Sequence, residues 1–91
     1  MDNSWQIDNQ LQWNGSSETL IITVKNGHEQ QLCAIPQTAI NDYYQTVDTK
    51  DAAFENFKND RQKFLEVALK FISKNQPNDD GIYFIGSSNF I

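Results

Sequence analysis

Among the side chains here that could do chemistry, Arg61 holds the least expected position. It stands in "FENFKNDRQKFLEVALKFI", Phe54 to Ile72, where helical spacing asks for an apolar residue. With Phe54 at zero and about 100° per residue, Phe57, Leu65, Ala68 and Ile72 share one arc, and Arg61 lands near its centre at about 340°. A guanidinium keeps its charge when buried, and burial without a partner costs several kcal/mol. Arg61 must therefore meet a companion. One source is the same chain: Asp42, Asp48, Glu18, or backbone carbonyls beside a short preceding helix. Another is a neighbouring subunit, since interfaces often combine apolar surface with arginine. The third is a trapped carboxylate or phosphate, which the planar fork matches. The candidate site is thus Arg61 with Asp42, Asp48 and Tyr43. As a catalytic centre it would need an acid or base from Asp42, Asp48 or a tyrosine beside Arg61 in a concave site. The sequence shows no such constellation, so no enzyme is expected.

The other reactive residue types read as structural. His28 is the single histidine. It falls at a polar hairpin tip, and its chain neighbour Glu29 points to the opposite face of a strand, where it cannot orient a base. Cys33 is the single cysteine, so it forms no disulfide within the chain. It sits on an apolar face, where a free thiol packs as a small hydrophobe. No Cys/His cluster offers a metal site. Asp79-Asp80-Gly81 lacks the alternating ligands and terminal glutamate of a calcium loop and reads as a turn. "NGSS" and "GSSN" have neither the spacing nor the lysine of a phosphate-binding loop. No cofactor is expected.

The elements that position these residues begin with "ETLIITVKNGHEQQLCAI", a predicted β-hairpin turning on Asn26-Gly27. That centre sets Lys25 opposite His28, Thr23 opposite Gln30, Ile22 opposite Gln31 and Leu20 opposite Cys33. Leu20, Ile22, Val24, Cys33 and Ile35 then share one face. Thr19, Thr23, Lys25, His28 and Gln30 share the other, with Ile21 and Leu32 as apolar exceptions. "PQTAINDYYQ" predicts a short helix with Pro36 in its first turn and Ile40, Tyr43 and Tyr44 as its inner stripe. After a loop supplying Asp48 or Thr49 as cap, one long helix is expected from about Asp51 to about Lys74, near 36 Å in length. Glu66 and Lys70 are spaced for an ion pair on its outer side. Asn75, Pro77 and Gly81 end it. Ile82–Ile85, apolar without alternation, predicts a strand buried on both faces or central in the sheet. Trp5, Ile7, Leu11 and Trp13 suggest further strands near the start. The expected class is α+β: an antiparallel sheet built on a hairpin, one short and one long helix packed on it, and a C-terminal strand.

A chain of 91 residues is one domain with a single modest core. The apolar fraction is 38%, and the aromatics, 12% of the chain, raise the area each buried residue contributes. Net charge is −5, which supplies no positive surface for phosphates and disfavours nucleic acid. Trp5, Trp13, Tyr43 and Tyr44 therefore read as packing residues rather than base-stacking platforms. "MDNSWQIDNQ" lacks the basic and apolar regions of a signal peptide, and no apolar run approaches a membrane span. The cytoplasm is the expected location.

Taken in order, "QLCAI", "AINDYY", "AFENFKNDRQKFLEVALKFI" and "DGIYFI" resemble the bacterial family catalogued as domain of unknown function 1488, over roughly Leu20 to Ile85. Phe57, Arg61 and Ala68 stand at that family's spacing. The resemblance implies small α+β proteins with helices packed on an antiparallel sheet, and it implies no activity. That family carries Ser or Thr at the entry to the short helix, so Pro36 departs from it. Together these readings lead to a small interaction module whose partner is a second copy or another protein, met through the long helix or the sheet. The alternative is a regulatory module holding a small anion at Arg61.

Overall fold

The hairpin comes first in the physical order, because its two strands carry most of the inner-face aliphatic residues. The computed structural model describes residues 5–90. In it β3 (Thr19–Asn26) and β4 (Glu29–Pro36) pair along their full length, with Leu20 opposite Ile35, Ile22 opposite Cys33 and Asn26 opposite Glu29. The turn is therefore centred on Gly27-His28, two residues out of the predicted register. Gly27 takes φ +63°, and His28 has no positive φ. That is the pattern of a II′ turn, which places Gly first, and it removes the need for Asn26 to adopt positive φ. A two-residue slip preserves the alternation of faces. Leu20, Ile22, Val24, Cys33 and Ile35 consequently share one face as predicted, and all are fully buried.

Two short strands, β1 (Gln6–Ile7) and β2 (Gln12–Asn14), both pair antiparallel with β3. They bring Ile7 and Trp13 level with Val24 and Leu20 on the same buried face. At the other side β5 (Ile82–Phe84) pairs with β4 in parallel. The order β1-β3-β4-β5 makes β5 an edge strand. The sheet is thus mostly antiparallel, and the C-terminal strand departs from that rule. Three helices separate β4 from β5, and a crossover of that length returns a chain parallel.

The first helix, α1 (Gln37–Tyr44), starts directly after Pro36, whose φ of −62° and ψ of 145° place it outside the helix as N-cap. The expected single long helix is two: α2 (Lys50–Asn59) and α3 (Arg61–Lys74), broken at Asp60 with φ −145° and ψ 47°. Asn59 and Asp60 are residues whose side chains compete with helical backbone bonds. Asp60 commits its carboxylate sideways, accepting from the Tyr44 hydroxyl at 2.9 Å. Thr49 caps α2, accepting from Ala52 N–H at 3.1 Å. Asn75 ends α3, its side-chain amide donating to Phe71 O at 2.9 Å. Glu66 and Lys70 do not close to ion-pair distance, whereas Lys25 and Asp8 do, at 3.4 Å.

All three helices pack on one face of the sheet, burying Ala39 and Ile40, Ala53 and Phe57, and Phe64, Val67 and Ala68 in one cluster with the inner strand residues. The break at Asp60 lets Phe57 and Phe64 meet edge to face at 5.0 Å, and Phe90 closes on Phe64 at 4.8 Å from the C-terminal end. Among the described residues no helix is long and apolar enough to cross a membrane.

Candidate functional site

The break at Asp60 decides where Arg61 goes. As first residue of α3, Arg61 reaches past the helix towards β1 rather than into a core. Its Nη2 donates to Ile7 O at 3.0 Å and to Asn9 Oδ1 at 3.4 Å, and its guanidinium carbon lies 5.1 Å from the Phe57 ring centroid. Ile7 stands opposite Val24, and Asp8 N–H bonds Thr23 O. That alternation turns the Ile7 carbonyl away from β3. Arg61 thus occupies the open edge of the sheet at β1, and its nearest companion is a backbone carbonyl. Among the described residues no carboxylate comes within ion-pair distance of it.

No hydrogen bond or ion pair joins Arg61 to Asp42, Asp48 or Tyr43, so the predicted cluster does not assemble. Asp48 Oδ1 accepts from Gln37 Nε2 at 2.9 Å and Asn41 Nδ2 at 3.2 Å. It belongs to a polar clasp on the loop after α1. There Asn41, fully buried, also donates to Thr49 O and accepts from Thr46 and Asn56. Tyr43 packs edge to face on Tyr44 and Phe90 at 4.8 and 5.0 Å, with Lys63 Nζ 5.1 Å from its ring centroid. Asp42 is exposed. The physical reason is the helix break: a wheel drawn through residue 60 carries a phase across a joint where the phase is lost.

The other predicted residues keep structural environments. Cys33 is fully buried on the inner sheet face, and burial pushes its thiol up to about 12. Burial, reinforced by the Asp60 carboxylate, drives the Tyr44 hydroxyl well above its ordinary value. His28 is exposed at the tip. Trp13 packs on Phe54 at 5.5 Å.

Sequence reasoning missed the outer face of the sheet. No helix covers it. Ile21, Ala34 and Phe84 form one cross-strand row, and Thr23, Leu32 and Ile82 the next. Ile21, Leu32, Ile82 and Phe84 stand outside the core cluster and its packed neighbours, and Phe84 is 55% exposed. The signal was present: Ile21 and Leu32 broke the hairpin alternation, and "IYFI" did not alternate at all. The predicted double burial of that strand is corrected. Tyr83 and Ile85 are buried while Phe84 is not.

Each edge of this sheet carries a blocking contact. At β1 the plug is Arg61. At β5, Asn78 Oδ1 accepts from Ile82 N–H and Asn78 N–H donates to Ile82 O, each at 2.9 Å. Blunted edges discourage association by added strands, which leaves the face.

A mostly antiparallel sheet with helices on one side and an open apolar face on the other defines a small α+β protein. The chain belongs to the family described as "Protein of unknown function (DUF1488)", whose model matches residues 7–85. It is similar in fold to a protein of unknown function from that family from Shewanella loihica PV-4, with a TM-score of 0.76 and 20% identity. The likeness covers 93% of this chain and 94% of that one. No curated protein matches it.

Proposed function

We propose that this protein is a small cytoplasmic interaction module that associates with a second copy of itself through the open sheet face. The observation that carries this reading is the apolar group Ile21, Leu32, Ile82 and Phe84, which stands outside the helix-packed core, with Phe84 the most exposed of the four. Charge selects the occupant. In a chain of net −5, the strand positions on this face carry no acid and one base, Lys25, held at the margin by Asp8 at 3.4 Å. Two copies can meet there without bringing their acidic surfaces together, whereas a basic partner would find nothing to pair with. Strands β3 and β4 span eight residues each and β1, β2 and β5 two or three, so at 4.8 Å by 3.4 Å per residue the face gives a footprint of roughly 400 Å² per copy. The two copies together bury about 800 Å², the size of a weak, transient contact. A two-fold, isologous, concentration-dependent dimer is therefore expected.

Light scattering or sedimentation across a hundredfold dilution tests this. The wild type should pass from dimer to monomer, and Phe84→Lys should remain monomeric with an unchanged circular dichroism spectrum. A wild-type chain that stays strictly monomeric at the highest concentration rules the reading out.

A further inference from the structure

We propose a second site, at the margin of that face: the polar recess at the β1 edge, between Asp8-Asn9 and the start of α3, binds a small oxyanion through Arg61 and Lys25. The recess is about 340 Å³ in volume and has Asp8, Asn9, Lys25, Arg61 and Gln62 on its walls. That lies near the small end of ligand pockets, which run from about 300 to 1,000 Å³.

The argument starts from an imbalance of charge. Arg61 carries a permanent charge in an acidic chain, yet its described partners are a carbonyl and an amide oxygen, both reached by Nη2. The Nη1 and Nε donors have no acceptor among the described residues. Two acids stand close in sequence or space, and each is engaged elsewhere. Asp60 accepts from Tyr44 at 2.9 Å. Asp8 accepts from Gln10 N–H at 3.0 Å and from Lys25 at 3.4 Å. The guanidinium is already fixed, by the Ile7 carbonyl beneath it and the Phe57 ring beside it. An anion arriving at its free donors therefore meets a positioned fork and loses little ordering entropy in forming the contact. Lys25 supplies the second cation. Its contact with Asp8 is long and partly exposed, with side chains 40% and 31% accessible, so it exchanges partners readily. Asp8 opposes the ligand, both by its own charge and by holding Lys25.

The chemistry recognised is a group with two or more terminal oxygens sharing negative charge, supplied by a carboxylate or a phosphate. The test titrates inorganic phosphate and, separately, acetate, following the Arg61 side chain and the amides of Gln6–Asn9 and Gln62 by ¹H–¹⁵N NMR. Saturable shifts at these positions with either probe support the site, and the probe that saturates names the class. Asp8→Asn, which keeps an oxygen for Gln10, should tighten binding several-fold. Lys25→Gln should weaken it several-fold. Arg61→Lys should weaken it about tenfold or more, because the planar fork is lost. Tightening in Asp8→Asn is the decisive sign, since a purely structural role for Arg61 does not produce it. Shifts that rise linearly with either anion and never saturate overturn the proposal. So does saturation that none of the three substitutions alters. Phe84→Lys should leave the titration unchanged, which separates this site from the sheet face.

Discussion

Ile21 and Ile22 are chain neighbours on β3 with opposite surroundings. Ile22 is fully buried under the helices, whereas Ile21 lies on the open face between Gln12 and Ala34. The same residue type, one step apart, serves the core on one side and is free to serve a partner on the other. The covered face is aliphatic on the sheet and aromatic on the helices and the C-terminal segment, with Phe57 and Phe90 each meeting Phe64 edge to face. The open face is apolar only along two rows and has amides and threonines around them. That difference is what separates a folding surface from one that can remain in water until it finds its match.

Truncating each isoleucine in turn separates the two faces most strongly. Ile22→Ala should cost about 2–5 kcal/mol in urea unfolding, since a buried site loses its transfer energy and gains a cavity. Ile21→Ala should change monomer stability by roughly 0.5 kcal/mol or less and weaken dimerisation instead. Equal losses at the two positions would mean that the open face is covered in the monomer. A smaller effect is expected at the β5 edge. Asn78→Ala removes the oxygen that accepts from Asp80 and Ile82 N–H and should cost about 1 kcal/mol. It should also add higher oligomers as the edge opens; stability and oligomer size unchanged together would show that Asn78 does not guard it.

The covered face also has a pH signature. The Cys33 thiol lies at about 12 in the folded chain against an ordinary 9.0, so the folded state holds a proton that the unfolded state releases. Stability from this group is full below about pH 9 and is lost as pH rises towards 12. The Tyr44 hydroxyl, also raised, acts in the same direction from pH 10 upward. A urea midpoint that holds steady from pH 8 to 11 would contradict the burial of both groups. The smallest effect is chemical: iodoacetamide at pH 8 should label Cys33 far more slowly in the folded protein than in urea.

Much of the fold was legible because it rests on local pattern. Alternation along Leu20–Val24 and Cys33–Ile35 gave the buried face, and it survived a two-residue error in register because faces repeat every two residues. Trp5, Ile7, Leu11 and Trp13 pointed to the N-terminal strands, and the cap of α2 was narrowed to Asp48 or Thr49, of which Thr49 serves. The candidate site was less legible. Arg61 was singled out by a wheel that assumed one continuous helix, and Asp60 broke it. The predicted neighbours Asp42, Asp48 and Tyr43 were then assigned to other contacts. Asn41, whose buried amide organises the loop after α1, drew no notice because a lone asparagine in a helix carries no periodic signal. Ile7 as partner to Arg61 was beyond reach, since 54 residues separate them and the contact is to a carbonyl that every residue possesses.

The class of fold, the membership of the hairpin core and the presence of a cation in need of a partner are written along the chain. Those features follow from hydrophobic period and fixed charge, which are properties of the chain read a few residues at a time. The parallel docking of β5, the joint at Asp60, the plugging of both sheet edges and the exposure of Phe84 were decided only in three dimensions. Each depends on which backbone groups and faces remain unsatisfied once the rest has packed, and that remainder is a property of the whole structure.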